Sequence, residues 1–140
     1  MSNAEKFVER FSAVWADPEP DQFASLWAPE GRLLHPGMDS SIGQDEIPDY
    51  MRRLKTIAPD ISLRVERWAA KDDFVLIEWT LSASLGDEKV EWTGVDHFTL
   101  RGDRAVEGIA WFDTMPLWRR IAPDKAPQGT LEEAAAPTGS

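Results

Sequence analysis

At 140 residues the chain has the size of one domain and is long enough to bury a substantial core. The formal charge of −10 excludes a phosphate-binding face of clustered cations: the fifteen Lys and Arg stand singly or in pairs such as Arg52-Arg53 and Arg119-Arg120. Neither nucleic acid nor an anionic membrane is therefore expected as a partner. With no Cys there are no disulfides, thiolate nucleophiles or cysteine-ligated metals.

Residues 4–16 carry Phe7, Phe11, Val14 and Trp15 at i, i+4, i+7 and i+8, one face of a helix. Asn3 is its expected N-cap, and Asp17-Pro18 ends it, because a residue before proline avoids the α region. A short second helix is predicted from Pro20 to Trp27, with Phe23, Leu26 and Trp27 on one side. Pro29 and Gly31 break the chain. Arg32 to His35 reads as a short extended piece stopped by Pro36-Gly37. A loop over 37–43 leads to a third helix over 44–56, with Ile47, Met51 and Leu54 on one face and Pro48 tolerated near its start.

From residue 61 the period becomes two: Ile61, Leu63 and Val65 alternate with polar residues. Turns at Asp72-Asp73, Gly86-Asp87 and Arg101-Gly102-Asp103 separate strands over 74–84, 89–100 and 104–113. Three helices followed by a four-strand meander give an α+β order in a single domain over 1–120. Residues 121–140, rich in Ala, Pro, Gly and Glu, are expected to be a loose tail. The charged start of the chain has no apolar signal core and no apolar run nears membrane-spanning length, so a cytoplasmic location is expected.

Alternation also singles out one acid. On the strand 89–100, Val90, Trp92, Gly94, Asp96, Phe98 and Leu100 share a face, whereas His97 points away with Glu91 and Thr93. An acid on an apolar face must be paired, hydrogen-bonded or protonated. Asp96 is accordingly a candidate acid–base group or protonated donor, with a satisfied structural acid, held by a backbone N–H or an Arg such as Arg32 or Arg64, as the alternative. His35 ends an apolar segment before a turn and is a candidate base; the alternative is a histidine bonded to its own loop. Asp113 is expected to cap or turn the chain. Asp39, Asp45 and Glu46 complement the dipole of the third helix. No phosphate-cradling glycine loop, dinucleotide fingerprint or nucleophile elbow is present, and two distant histidines give no metal spacing.

The stretch "LWAPEGRLLHPG", the following helix and the closing "GVDHFTLRGDRAVEGIAWFD" resemble the SnoaL-like branch of the NTF2-like superfamily. The resemblance implies a cone-shaped roll, with three N-terminal helices packed on a strongly curved, mainly antiparallel sheet. It also implies a pocket at the open end and homodimers through the sheet's outer face. Compared with ketosteroid isomerases, His35-Pro36 falls where those enzymes carry an Asp-Pro base, Asp96 falls on their oxyanion-stabilising Asp, and Phe11 replaces their Tyr. Limonene-epoxide-hydrolase positions carry Ile77, Trp79 and Ala110 here, without that family's charged groups. Asp96 also matches the Asp of SnoaL-type polyketide cyclases, and their strand His has no counterpart.

These readings lead to an expected small-molecule enzyme of isomerase or cyclase type, a lyase or hydrolase of the SnoaL-like family. It would work without a cofactor or metal on an apolar, carbonyl-bearing ligand. His35 is the expected base and Asp96 the acid, with Phe11, Trp79, Trp92, Phe98 and Phe112 as ligand-binding walls. The alternative is a non-catalytic ligand-binding or dimerisation domain.

Overall fold

The computed structural model describes residues 1–38, 40–125 and 129–137. Helix α1 (Asn3–Ala16) opens the chain. Its N-cap is Ser2 rather than Asn3: Glu5 N–H donates to Ser2 Oγ at 3.0 Å and Ser2 N–H donates to Glu5 Oε1 at 3.4 Å, the reciprocal box that a Ser-x-x-Glu spacing permits. Helix α2 (Pro20–Ala24) is shorter than expected. Trp27 leaves it to begin strand β1 (Trp27–His35), because Ala105 N–H donates to Leu26 C=O and draws the chain into the sheet.

After a 3-10 turn at Pro36–Met38, strand β2 (Ser40–Ile42) folds back on β1, where a loop was expected. A second such turn at Gln44–Glu46 precedes helix α3 (Ile47–Ile57). Asp45 and Glu46 lie at that helix start, as read from the sequence, and Asp39 lies outside the described residues. Two helices, not three, thus precede the first strand. The third is set apart because residues 27–42 find pairing partners that local pattern does not reveal.

The meander follows as β3 (Ser62–Lys71), β4 (Phe74–Leu85), β5 (Glu88–Arg101) and β6 (Arg104–Phe112). Its three hairpins each turn on two residues whose first member takes a left-handed φ: Asp72, Gly86 and Gly102. The six strands order as β2-β1-β6-β5-β4-β3, antiparallel except where β1 runs parallel to β6. Helix α4 (Met115–Ile121) follows β6 and runs across the expected domain boundary at residue 120, and α5 (Leu131–Ala135) lies beyond it with its own capping box. Asp113 Oδ1 accepts from Met115 N–H at 3.0 Å, the turn-forming role expected of it. No helix among the described residues is long and apolar enough to cross a membrane.

Helices α1, α2 and α3 cover the inner sheet face. Phe7 and Phe11, one helical turn apart, meet Phe98 edge-on with ring centroids 4.8 and 5.5 Å away. Trp15, Phe23 and Trp27 continue this chain of edge contacts. Gly108 makes the packing possible, since a Cβ there would lie 2.7 Å from both Phe98 Cε1 and Trp27 Cη2.

Candidate active site

Strand register places the acid. Across the inner face, Ile77, Asp96 and Ala110 form one row. The row of Val75, Phe98 and Gly108 lies on one side of it, and that of Trp79, Gly94 and Phe112 on the other. Glycine at 94 lets the Trp79 indole lie flat across β5, because a Cβ there would meet Trp79 Cζ2 at 2.5 Å. Small Ala110 leaves space beside the carboxyl. A cavity of about 460 Å³ opens there, within the size range of small-molecule pockets.

Asp96, His35 and all five expected wall residues, Phe11, Trp79, Trp92, Phe98 and Phe112, line this cavity. Asp96 is 7 % exposed. Its Oδ1 is sealed from solvent and has no hydrogen-bond partner. Its Oδ2 likewise makes no hydrogen bond to the protein but, unlike Oδ1, is not sealed, which leaves it as the oxygen on the cavity side. The two arginines that might have neutralised the acid are engaged elsewhere, Arg32 with Glu107 and Arg64 with Glu66. Burial among apolar groups pushes the Asp96 carboxyl up to about 7, and the nearby Trp79 indole moderates the rise. That indole stops short of a hydrogen bond: Trp79 Nε1, like Oδ1, is sealed and unpartnered.

His35 follows Leu33 on the inward parity at the end of β1, which is how a loop-side histidine enters the cavity. Its ring centroid lies 6.2 Å from Phe112 and 5.7 Å from Tyr50. Burial lowers its pKa below the usual 6.5, which keeps the imidazole neutral at neutral pH. His97 points to the opposite sheet face, where its Nε2 accepts from Trp111 Nε1–H at 2.8 Å.

Tyr50 is the main residue that sequence reasoning missed. It is the chain's single tyrosine, it lines the cavity, and both burial and the Asp96 charge raise its pKa. The signal was available, since Tyr50 falls at i+3 from Ile47 and i−4 from Leu54 on the apolar stripe of α3. Leu117, Arg120 and Ile121 of α4 also reach the cavity. Among the described residues no cluster of three or more His, Asp or Glu is placed to hold a metal ion.

A family model for SnoaL-like domains matches residues 8–108. No curated protein matches the sequence. Solved structures are similar in fold. An NTF2-like protein of unknown function from Burkholderia pseudomallei shares 20% identity at a TM-score of 0.75, over 87% of this chain and 99% of that one. A protein provisionally assigned as a SnoaL-like polyketide cyclase from Jannaschia sp. shares 17% at 0.72, over 91% and 97%. A protein with a ketosteroid isomerase-like fold from Catenulispora acidiphila, in complex with trimethylamine, shares 15% at 0.69, over 75% and 83%.

Proposed function

This chain belongs to the SnoaL-like domain family, and on that footing we propose that its cavity binds an apolar, carbonyl-bearing small molecule and moves a proton within it. One observation carries the reading: Asp96 is buried among aromatic and aliphatic groups with no cation beside it and one oxygen facing the hollow. A merely structural acid would be satisfied by a backbone N–H or an arginine, and this one is not.

In the proposed reaction the neutral His35 imidazole removes a proton from the carbon next to the carbonyl. Asp96, in its acid form, hydrogen-bonds the carbonyl oxygen as negative charge grows there, and Tyr50 supplies a second hydroxyl donor. Return of the proton to another carbon gives isomerisation; attack of the enol carbon on a second carbonyl gives ring closure. Neither outcome consumes a cofactor. The apolar walls exclude water and strengthen each of these contacts. We also read the outer sheet face, with its exposed Phe74, Leu76 and Trp111, as the surface on which a second copy docks.

The test is deuterium uptake by simple bicyclic ketones such as tetralone in heavy water, followed by proton NMR, with binding checked separately by thermal shift. Wild type should accelerate exchange, and Asp96→Ala or His35→Ala should each lose about 10²-fold or more of that acceleration. Binding without any exchange would leave a ligand-binding domain and remove the catalytic reading.

A further inference from the structure

The cavity has a second polar end that the acid–base chemistry leaves unused. Leu117, Arg120 and Ile121 are spaced i, i+3 and i+4 in α4, so one stripe of that helix turns all three toward the hollow. Arg119 and Arg120 are both exposed, and of the two only Arg120 lines the cavity. Among the described residues Arg120 is the only Lys or Arg lining the cavity; the other ionisable groups there are Asp96, His35 and Tyr50.

The helix is tethered at the mouth. The Trp118 indole N–H donates to Gly37 C=O at 3.4 Å, and Thr114 packs so closely on Gly37 that a Cβ there would lie 2.6 Å from Thr114 Cγ2. The guanidinium of Arg120 pairs with Glu88, beside the β4–β5 turn. Both partners are substantially exposed, at 41% and 63% for their side chains, and an ion pair in water holds its members weakly. Glu88 is therefore readily exchanged for another anion that brings apolar surface with it. Arginine suits that exchange, since its planar fork meets a carboxylate or sulfonate with two parallel N–H bonds.

We propose that Arg120 is the anchor for an acidic group on the ligand, so that the cavity selects apolar carbonyl compounds that also carry a carboxylate or comparable anion. The proposal rests on the reading of the cavity as a ligand site. A chain of net charge −10 repels anions at long range, yet among the described residues the one Lys or Arg that lines this mostly apolar hollow stands at its mouth. Arg120 lies on α4, outside residues 8–108, the span matched by the family model.

Two fluorescent probes with the same rings separate the possibilities: anilinonaphthalene sulfonate, which is anionic, and phenylnaphthylamine, which is neutral. Titrated against the full chain, Arg120→Gln should weaken the sulfonate about tenfold, as expected for loss of one charge-assisted pair, and leave the neutral probe within about twofold. Glu88→Gln, which frees the guanidinium, should tighten the sulfonate and not the neutral probe. Unchanged sulfonate affinity in Arg120→Gln, or equal weakening of both probes, would overturn the anchor and leave the cavity reading intact. Failure of wild type to bind the neutral probe would instead remove the cavity reading and the anchor with it.

Discussion

A buried, uncompensated carboxyl couples folding to pH. Asp96 is raised from 3.8 to about 7, so the folded protein holds this proton more tightly than the unfolded chain does. Its contribution to stability is therefore complete in acid and is lost as pH climbs through that window, about 4 kcal/mol in all. Asp96→Asn cannot ionise. Relative to wild type, its stability should improve by about 3 kcal/mol between about pH 5 and pH 8, measured by urea unfolding at both values. A difference that stays flat with pH would mean the carboxyl meets water. The same two groups shape the rate of ketone exchange. Activity needs His35 neutral and Asp96 protonated, so it should rise with pH through the lowered histidine pKa and fall again near 7. Gly94→Ala tests the wall beside them. The new Cβ would lie 2.5 Å from the Trp79 ring and 2.8 Å from Trp111 C=O, so the indole must shift. We expect a loss of about 1–3 kcal/mol and weaker binding of the neutral probe. Asp96 and its aromatic neighbours were legible because parity on a single long strand assigns faces without knowledge of the fold. Tyr50 was not read from its helix because a phenol on an apolar stripe passes for core; only the space left above Ala110 distinguishes the two.

Local signals and long-range pairing divide the elements. The strands and turns of the meander were legible, since period-two stretches meet at two-residue turns whose first residue tolerates a left-handed φ, but its register shifts at Val65/Arg67 and Thr99/Leu100 were not. Strand β1 was seen only in its last four residues. Pro29 and Gly31 are breakers by any local rule, yet β1 passes through both, because its partner is β6, some seventy residues later and parallel to it. The bulge between Trp27 and Arg32 absorbs the irregularity. Strand β2, three residues long, exists only as a partner of β1. Helix α1 shows the opposite case, in which a local signal was present and misassigned by one residue. Its Ser2–Glu5 box predicts that Ser2→Ala costs about 1 kcal/mol by chemical denaturation, while Asn3→Ala, at the first helical position, costs little. A larger loss in Asn3→Ala than in Ser2→Ala would place the cap at Asn3 after all.

At the scale of the molecule, the sheet separates two apolar surfaces with different fates. The inner one is divided between core and cavity. On the outer one, Leu76, His97, Ile109 and Leu34 form a row across four strands, flanked by Phe74 on one side and by Val95 and Trp111 on the other. Phe74, Leu76 and Trp111 are 40%, 37% and 49% exposed, and the ion pairs Arg32–Glu107 and Arg67–Glu78 stand around them. An apolar centre within a charged rim is the layout of a protein contact, and the two-fold axis of a homodimer would set the row against itself. Leu76 ends this row on β4 beside Phe74 and does not line the cavity, so Leu76→Glu charges the contact without touching the ligand site. Wild type should sediment as a dimer at micromolar concentration and the variant as a monomer, because a carboxylate from each copy would be buried in an apolar contact. Both should bind the neutral probe equally, which separates loss of assembly from loss of fold. A wild-type protein that sediments as a monomer would leave the outer rings without a covering partner and withdraw the dimer. The cavity, walled from the other side of the same strands, would keep its acid and its arginine regardless.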